Sequence, residues 1–548
     1  MNVVPERLPA NQPLAERYMN DFASVSSLYN MKVTDPQTWV QRAAWLDQSK
    51  HSRMERGALV DCLESYNHLH NNHEEVHKSL ELLRQEETLT MVGGQQSGLF
   101  TGPLLVIYKV VTLILGAREA AARLNRPVVP VFWIAGEDHD WDEVNHTYLP
   151  DRDGQAVKIR MDHERGGHSP VSRTSIDRSH TEGVLKQFES LLPDSEHKSE
   201  WIQELRKYME QSDNLSGAFA KQLGRLFGRF GVVLLDSDDP QLRRLEVPVF
   251  RKMIQQNDQL TQAYLAAAEK VRALGYEEQA TVAEESANLF YIHSDEIYAN
   301  ERILLFKRDG MFTDRKGLVT FTPDELLDIL EQHPERFSNN VLTRPLMQES
   351  LFPVLSTILG TGEIAYWALT HQAFEILDLQ MPPILPRMSF TMVEEKIQML
   401  MQQFDLSFDD VRQRFGEVRE KWLSEQEDYH LDERFAELRR QFDQIYMPFI
   451  ESLAEVDPSL PHIAETNQHK IEAQIEYLHR KSSNAVAKQH EVGLRRLDRI
   501  AHSLYPFGKP QERTINSYYY LGRYGEQWLD QLLCIEPDLD GGHRLIYM

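Results

Sequence analysis

Seven apolar residues, 128–134, run on through Ala135 and stop at Gly136, Glu137, Asp138, His139 and Asp140. A strand with no polar face must be buried on both sides, and parallel sheets are built of such strands. The same device recurs along the chain. Residues 88–92 lead into Gly93, Gly94, Gln95, Gln96, Ser97 and Gly98, and residues 232–235 lead into Asp236 and Pro240. The apolar stretch 351–359 leads into Gly360, Thr361 and Gly362. Helical sequence follows at about 103–124, from 240 onward and at about 363–377, and 382–387 closes the series. Apolar strands alternating with helices, each strand ending in Gly or acidic residues, predict an α/β fold with a parallel sheet.

Three regions depart from that pattern. The first ninety residues read as helices, with Leu, Val and Tyr at three- and four-residue steps. Residues 276–322 carry short alternating runs between turn residues and predict an antiparallel β insertion. After Thr391 the composition shifts to Glu, Gln, Arg and Lys. Phe435, Leu438, Phe442, Ile445 and Phe449 keep the step of a coiled-coil seam, Pro458 and Pro461 break it, and Ile471, Ile475 and Leu478 resume it. This predicts an antiparallel coiled-coil arm of two helices, each roughly 60 Å long at about 1.5 Å per residue. An apolar seam of that length needs a partner, and a second copy of the chain in a twofold dimer is the simplest. The expected division is a core over 1–390, an arm over 391–503 and a Tyr-rich segment over 504–548 that packs back on the core.

With 59 Lys and Arg against 84 Asp and Glu, the net charge is −25. That opposes a general nucleic-acid or anionic-membrane surface, though not one basic pocket. The 2 cysteines, Cys62 and Cys534, cannot form a four-thiolate zinc site or a disulfide framework. No apolar run approaches a membrane span, and the first residues lack a basic then apolar leader, so a cytoplasmic location is expected.

Several motifs carry chemistry. His73 and His77 frame an H-E-x-x-H pattern with both imidazoles on one helical face, but Asn71, Asn72, Lys78 and Glu81 around it mark a solvated helix, so no metal site is expected. Gly360, Gly362 and Ala365 fit G-x-G-x-x-A; the strand after it ends in Arg387, Met388 and Ser389, where a dinucleotide site would place an acid. The turn at Gly360–Gly362 reads either as a phosphate- or carboxylate-binding turn with Arg387 or as a plain tight turn. Gly93 and Gly98 have the spacing of a P-loop, but Leu99 stands where the lysine is required. Glu137, Asp138, His139, Asp140, Asp142, Asn145 and His146 crowd the carboxyl end of a buried strand, where open α/β sheets bind ligands. Unpaired charges there serve no packing purpose. They can hold an ammonium group, supply a base or ligate a cation; the alternative is an ordinary acidic surface loop. Gln95, Gln96, Ser97, Gly98, Thr101 and Gly102 form the other strand end, where small residues admit a ligand to the backbone. A purely structural glycine turn is the alternative there.

Taken together, the strings 94–103, 130–140, 236–240, 362–367, 386–391 and 506–513, with the coiled-coil segment, resemble the cysteine ligase family of bacillithiol biosynthesis, nearly end to end and in order. The resemblance implies a Rossmann-like core with inserted connecting segments, as in class I aminoacyl-tRNA synthetases, and an arm used for homodimerisation. It implies joining the carboxyl of L-cysteine to the amine of glucosaminyl-malate. ATP or another nucleotide is the activator expected by analogy with mycothiol ligase, which makes a cysteinyl adenylate. The strict H-x-G-H and K-M-S-K-S signatures are absent; residues 95–98 and 387–389 stand in their places. On this reading Asp138, His139 and His146 are the catalytic candidates, with either histidine removing the amine's proton. Glu137, Asp140, Asp142 and Asn145 hold an ammonium group. Gln95, Gln96, Ser97 and Thr101, with Gly98 and Gly102, meet sugar, malate or phosphate. Gly362, Glu363, Tyr366, Trp367, Arg387 and Ser389 complete the substrate site, and Lys509 and Arg513 are candidates for a second ligand. Two other classes stay open: a different ATP-dependent ligase or nucleotidyl transferase of the same fold, and a non-catalytic scaffold built on the coiled coil.

Overall fold

The computed structural model describes residues 1–9, 11–162, 168–293, 300–426 and 430–548. Leu89–Gln95 (β1), Val128–Ile134 (β2), Val233–Asp236 (β3), Val354–Leu359 (β4) and Ile384–Pro386 (β5) form one sheet. Its order is β5-β4-β1-β2-β3, and every pairing is parallel. The strands are buried almost end to end, which is why they read as unbroken apolar runs. From β1 the chain builds outward through β2 to β3, then returns to the other side of β1 for β4 and β5. The strand order therefore reverses between β1 and β4, and in open α/β sheets the crevice at that point receives the ligand. Close approach at the sheet's centre requires Gly94: a Cβ there would lie 2.5 Å from the carbonyl oxygen of Trp133. The crossover helix Leu105–Leu124 is buried over most of its length and ends at Asn125 in the left-handed conformation.

A second sheet is antiparallel throughout. Its order is Thr320–Phe321, Met311–Asp314, Arg302–Arg308, Ser286–Ile292, Phe337–Asn339. The insertion thus runs past the expected 322, because Phe337–Asn339 returns after the helix Pro323–Gln332 to pair with Ser286–Ile292. Two other expectations need correction. The first ninety residues are not all helical, since Asn2–Glu6 pairs antiparallel with His543–Tyr547. The helix read over 363–377 is two pieces, Thr361–Trp367 and His371–Ile376.

The chain divides into two compact units, one of 1–151, 156–392 and 511–547, the other of 152–155, 393–510 and 548. The second unit is helical. Leu431–Leu453 and Leu460–Gln489 pair antiparallel across an Asp457–Ser459 turn, with Arg439 bonded to Glu476 at 2.8 Å and His479 to Asp432 at 2.7 Å. With 23 and 30 residues, they span about 34 and 45 Å, shorter than the expected 60 Å. Among the described residues no helix is long and apolar enough to cross a membrane.

Candidate active site

The loops after β1, β2, β4 and β5 close, together with the antiparallel sheet, around a cavity of about 620 Å³. Gln95 and Gln96 line it from β1, Glu137, Asp138 and His139 from β2, and Thr361, Gly362, Glu363 and Tyr366 from the turn after β4. Arg302 and Asn339 enter from the antiparallel sheet, Arg387 follows β5, and Arg513 comes from the C-terminal segment. Its volume is that of a small-molecule site.

Most of its charges are already spoken for. Glu137 is buried and accepts from Arg243, from the Ser338 hydroxyl at 2.8 Å and from the Asn339 N–H at 3.2 Å. It therefore ties the end of β2 to the antiparallel sheet. Lys109, on the crossover helix, donates to the Gly94 carbonyl at 2.7 Å, to Gln95 at 3.1 Å and to Glu363. Burial holds its ammonium pKa below the ordinary lysine range. Burial also opposes ionisation of Glu363, but Lys109 and Arg344 outweigh it and hold that carboxyl below the usual range. Glu363 further accepts the Gly360 N–H at 2.9 Å, and Arg344 donates to the Tyr366 hydroxyl at 2.5 Å. Arg387 makes a two-pronged pair with Glu512 at 2.5 and 3.0 Å.

Three groups differ. Arg513 reaches only the Thr361 hydroxyl, at 3.4 Å, and makes no ion pair among the described residues. Burial, with Arg387 beside it, lowers its pKa, although the Glu512 carboxylate opposes them. Asn339 is buried, and both its carboxamide nitrogen and oxygen lack a partner among the described residues. Asp138 is held by the Gln96 amide at 2.6 Å and its neighbour's N–H at 2.7 Å, leaving a carboxylate at the wall.

The cavity gathers Gln95, Gln96, Glu137, Asp138, His139, Gly362, Glu363, Tyr366, Arg387 and Arg513 of the candidates, and not the rest. Ser97 is buried against the Ser216 hydroxyl at 2.6 Å, and Thr101 against that of Ser517 at 2.9 Å. Gly98 and Gly102 pack on each other, while Asn516 holds the carbonyls of Phe100 and Gly102 at 2.7 and 2.9 Å. These bonds make the loop an internal joint between the sheet and the C-terminal segment. Asp140 caps the short helix Trp141–Val144, Asp142 pairs with Arg160 at 3.0 Å, and Asn145 is buried. His146 lies on the strand His146–Pro150, where burial and Lys158 lower its pKa. Trp367 sits in the core, and Ser389 bonds Glu512 at 3.0 Å and His543 at 2.7 Å. Lys509 belongs to the second unit. His73 precedes its helix and caps it, accepting the Glu75 N–H, so the two imidazoles of the H-E-x-x-H pattern do not share a helical face.

Lys109, Arg302, Asn339 and Arg344 escape the sequence reading. Lys109 leaves one trace, a lone cation in the apolar stretch 104–116. The other three lie in or beside the insertion, and no local periodicity connects them with strand ends some two hundred residues earlier.

The family described as bacillithiol biosynthesis BshC, N-terminal Rossmann-like domain, matches residues 1–388, and its C-terminal coiled-coil domain matches 390–548. A protein of Geobacillus sp. (strain WCH70) named "Putative cysteine ligase BshC" is 34% identical over 552 residues, covering 100% of both chains. A protein of the same name from Bacillus cytotoxicus is 36% identical over 497 residues, with 90% of each chain covered. Another, from Bacillus cereus, is 33% identical over 537 residues, with 98% of each covered. Strand order, the inserted antiparallel sheet, the helical arm and these full-length matches agree: the chain belongs to the bacillithiol biosynthesis BshC family.

Proposed function

We propose that this cavity joins the carboxyl of L-cysteine to the amine of glucosaminyl-malate, forming the amide of bacillithiol. The observation that carries the reading is the pairing, in one cavity at the sheet's switch point, of a guanidinium that makes no ion pair among the described residues with the Asp138 carboxylate. Arg513, beside Thr361, suits an anionic group such as a malate carboxylate or a phosphate. Asp138, at the end of β2, suits the amine of glucosaminyl-malate and takes its proton as the carbon–nitrogen bond forms. The free carboxamide of Asn339 can both donate to and accept from the substrate.

Amide formation breaks the bond from the carboxyl carbon to one oxygen, so that oxygen must first become a leaving group. ATP or another nucleotide, carried here as part of the same proposal, would supply that activation. Lys109 and Arg387 are committed to Glu363 and Glu512, Arg344 to Tyr366 and Glu363, and Arg302 to Ser338, Asn339 and His139, so Arg513 with Thr361 is the proposed phosphate contact. One free guanidinium matches one phosphate group better than three. The family's expected homodimer through the arm belongs to the proposal too.

The test is made in cells. Deleting the gene, labelling thiols with a fluorescent bimane and measuring glucosaminyl-malate should show bacillithiol lost and its precursor accumulating. Wild-type plasmid copies should restore the thiol and Arg513→Ala copies should not. Unchanged thiols in the deletion strain would overturn the proposal.

A further inference from the structure

His139 projects from the loop after β2 at the cavity wall. Its Nδ1 lies 2.9 Å from Nη1 of Arg302. A guanidinium has donors and no acceptor, so Nδ1 must accept, and its lone pair is spent. Arg302 cannot turn away to release it. Its Nε donates to the Ser338 hydroxyl at 2.8 Å and its Nη2 to the Asn339 carbonyl at 2.5 Å. Its guanidinium lies 3.8 Å above the Phe290 ring, and the side chain is buried. A neutral imidazole whose Nδ1 accepts carries its hydrogen on Nε2. No described residue is hydrogen-bonded to that Nε2, and the side chain is 27% exposed.

We infer that His139 serves the cavity's ligand as a fixed Nε2–H hydrogen-bond donor and not as a base, and that Arg302 is the positioning residue holding it in that tautomer. For the proposed amide formation, the donor faces a carboxyl oxygen that gains negative charge as the amine attacks, where such donors act most strongly. That step rests on the proposed reaction; the tautomer does not. The groups around the ring agree with a neutral imidazole. Burial and the Arg302 cation disfavour the imidazolium, His168 adds to this, and Asp138 and Asp140 oppose it; the balance sets the pKa down at about 4. The His168 and Phe290 rings pack at 5.3 and 5.7 Å and bring no carboxylate.

The test uses the full chain, deuterated except for histidines labelled with carbon-13 and nitrogen-15. His139→Gln identifies the resonance by its loss. Wild type should show the neutral Nε2–H tautomer of His139, unchanged from about pH 5.5 to 8 given its low pKa. Arg302→Met should mix the tautomers, and Arg302→Lys, which keeps a donor, should restore the single form. Wild type with Nδ1–H or an imidazolium at pH 7 would overturn the inference, whether or not Arg302→Met folds. In the deletion strain, His139→Gln keeps an N–H that can donate but cannot accept a proton. It should retain far more bacillithiol synthesis than His139→Ala, whose loss is expected at roughly 100-fold. Equal loss in both, with the tautomer confirmed, would overturn the donor role. Absence of the reaction in wild type would instead sink the proposed function and leave the tautomer standing.

Discussion

Arg387 and Arg513 line one wall of the same cavity, yet their surroundings give them opposite roles. Arg387 is bound to Glu512 in a buried pair, and the same carboxylate accepts from Ser389. Arg387→Ala leaves Glu512 charged and unpaired away from water, a loss of about 3–5 kcal/mol. Denaturant unfolding should show that cost, while Arg513→Ala, which breaks no ion pair among the described residues, should shift stability by less than about 1 kcal/mol. Equal effects would mean that Arg513 is structural. His543 gives the same cluster a pH dependence. Burial and, next to it, Arg387 lower its pKa to about 4, although Glu512 opposes them. An unfolded chain takes up a proton at this imidazole from about pH 6.5 downward, and the folded chain does so only near 4. In that interval the unfolded state binds more protons, so the contribution of His543 is complete above 6.5 and is lost as the pH falls. His543→Gln should unfold with a shallower decline between pH 6.5 and 4 than wild type. Identical slopes would place the protonation elsewhere.

At the level of elements, the sequence pattern is legible where the cause is local. β2 is apolar because it is buried on both faces, and its abrupt acidic end is the loop that lines the cavity. β1 carries a second local signature, Gly94, whose missing Cβ lets the β1 and β2 backbones approach. Gly94→Ala pushes a methyl group into the Trp133 carbonyl and should cost about 1–3 kcal/mol. It should also displace Gln95 and Gln96 from the cavity, so thermal unfolding and thiol synthesis should fall together. The arm shows where pattern misleads. Phe435 of the seam is buried, but Ile445 and Phe449 are 74% and 54% exposed. Within the chain the paired helices bury Ile450, Ala464 and Val486 instead. A heptad step reports that a stripe is apolar, not which partner covers it. If a second copy covers it, as proposed, Ile445→Glu with Phe449→Glu should halve the mass measured by light scattering. A wild-type mass of 63.7 kDa would remove the homodimer from the proposal.

For the whole molecule, the cavity collects residues from the strand ends, the insertion and the C-terminal segment. Strand ends can be found from sequence because burial and its abrupt stop are local. The partners of Ser97 and Thr101 lie at 216 and 517, so nothing near those residues reveals that their hydroxyls are spent. Arg302 reaches His139 across 163 positions, and only the folded chain makes that contact. The same separation of scales governs ligand capture. A net charge of −25 repels any anion from a distance, whereas Arg513 attracts it at short range inside a desolvated pocket. Screening acts first on the distant charges, since the Debye length falls from about 30 Å at 0.01 M salt to about 8 Å at 0.15 M. L-Malate, used as a probe for the anionic group, should therefore raise the melting temperature of the full chain. The stabilisation follows the ratio of malate to its Kd, about 2.7 kcal/mol at a hundredfold excess. The shift should grow from 0.01 to 0.15 M salt in wild type and be absent from Arg513→Ala at both. General salt stabilisation would move both proteins alike, so the difference between them isolates the pocket. A malate shift that survives in Arg513→Ala would mean that the anion is held elsewhere, and that Arg513 is not the group that reads it.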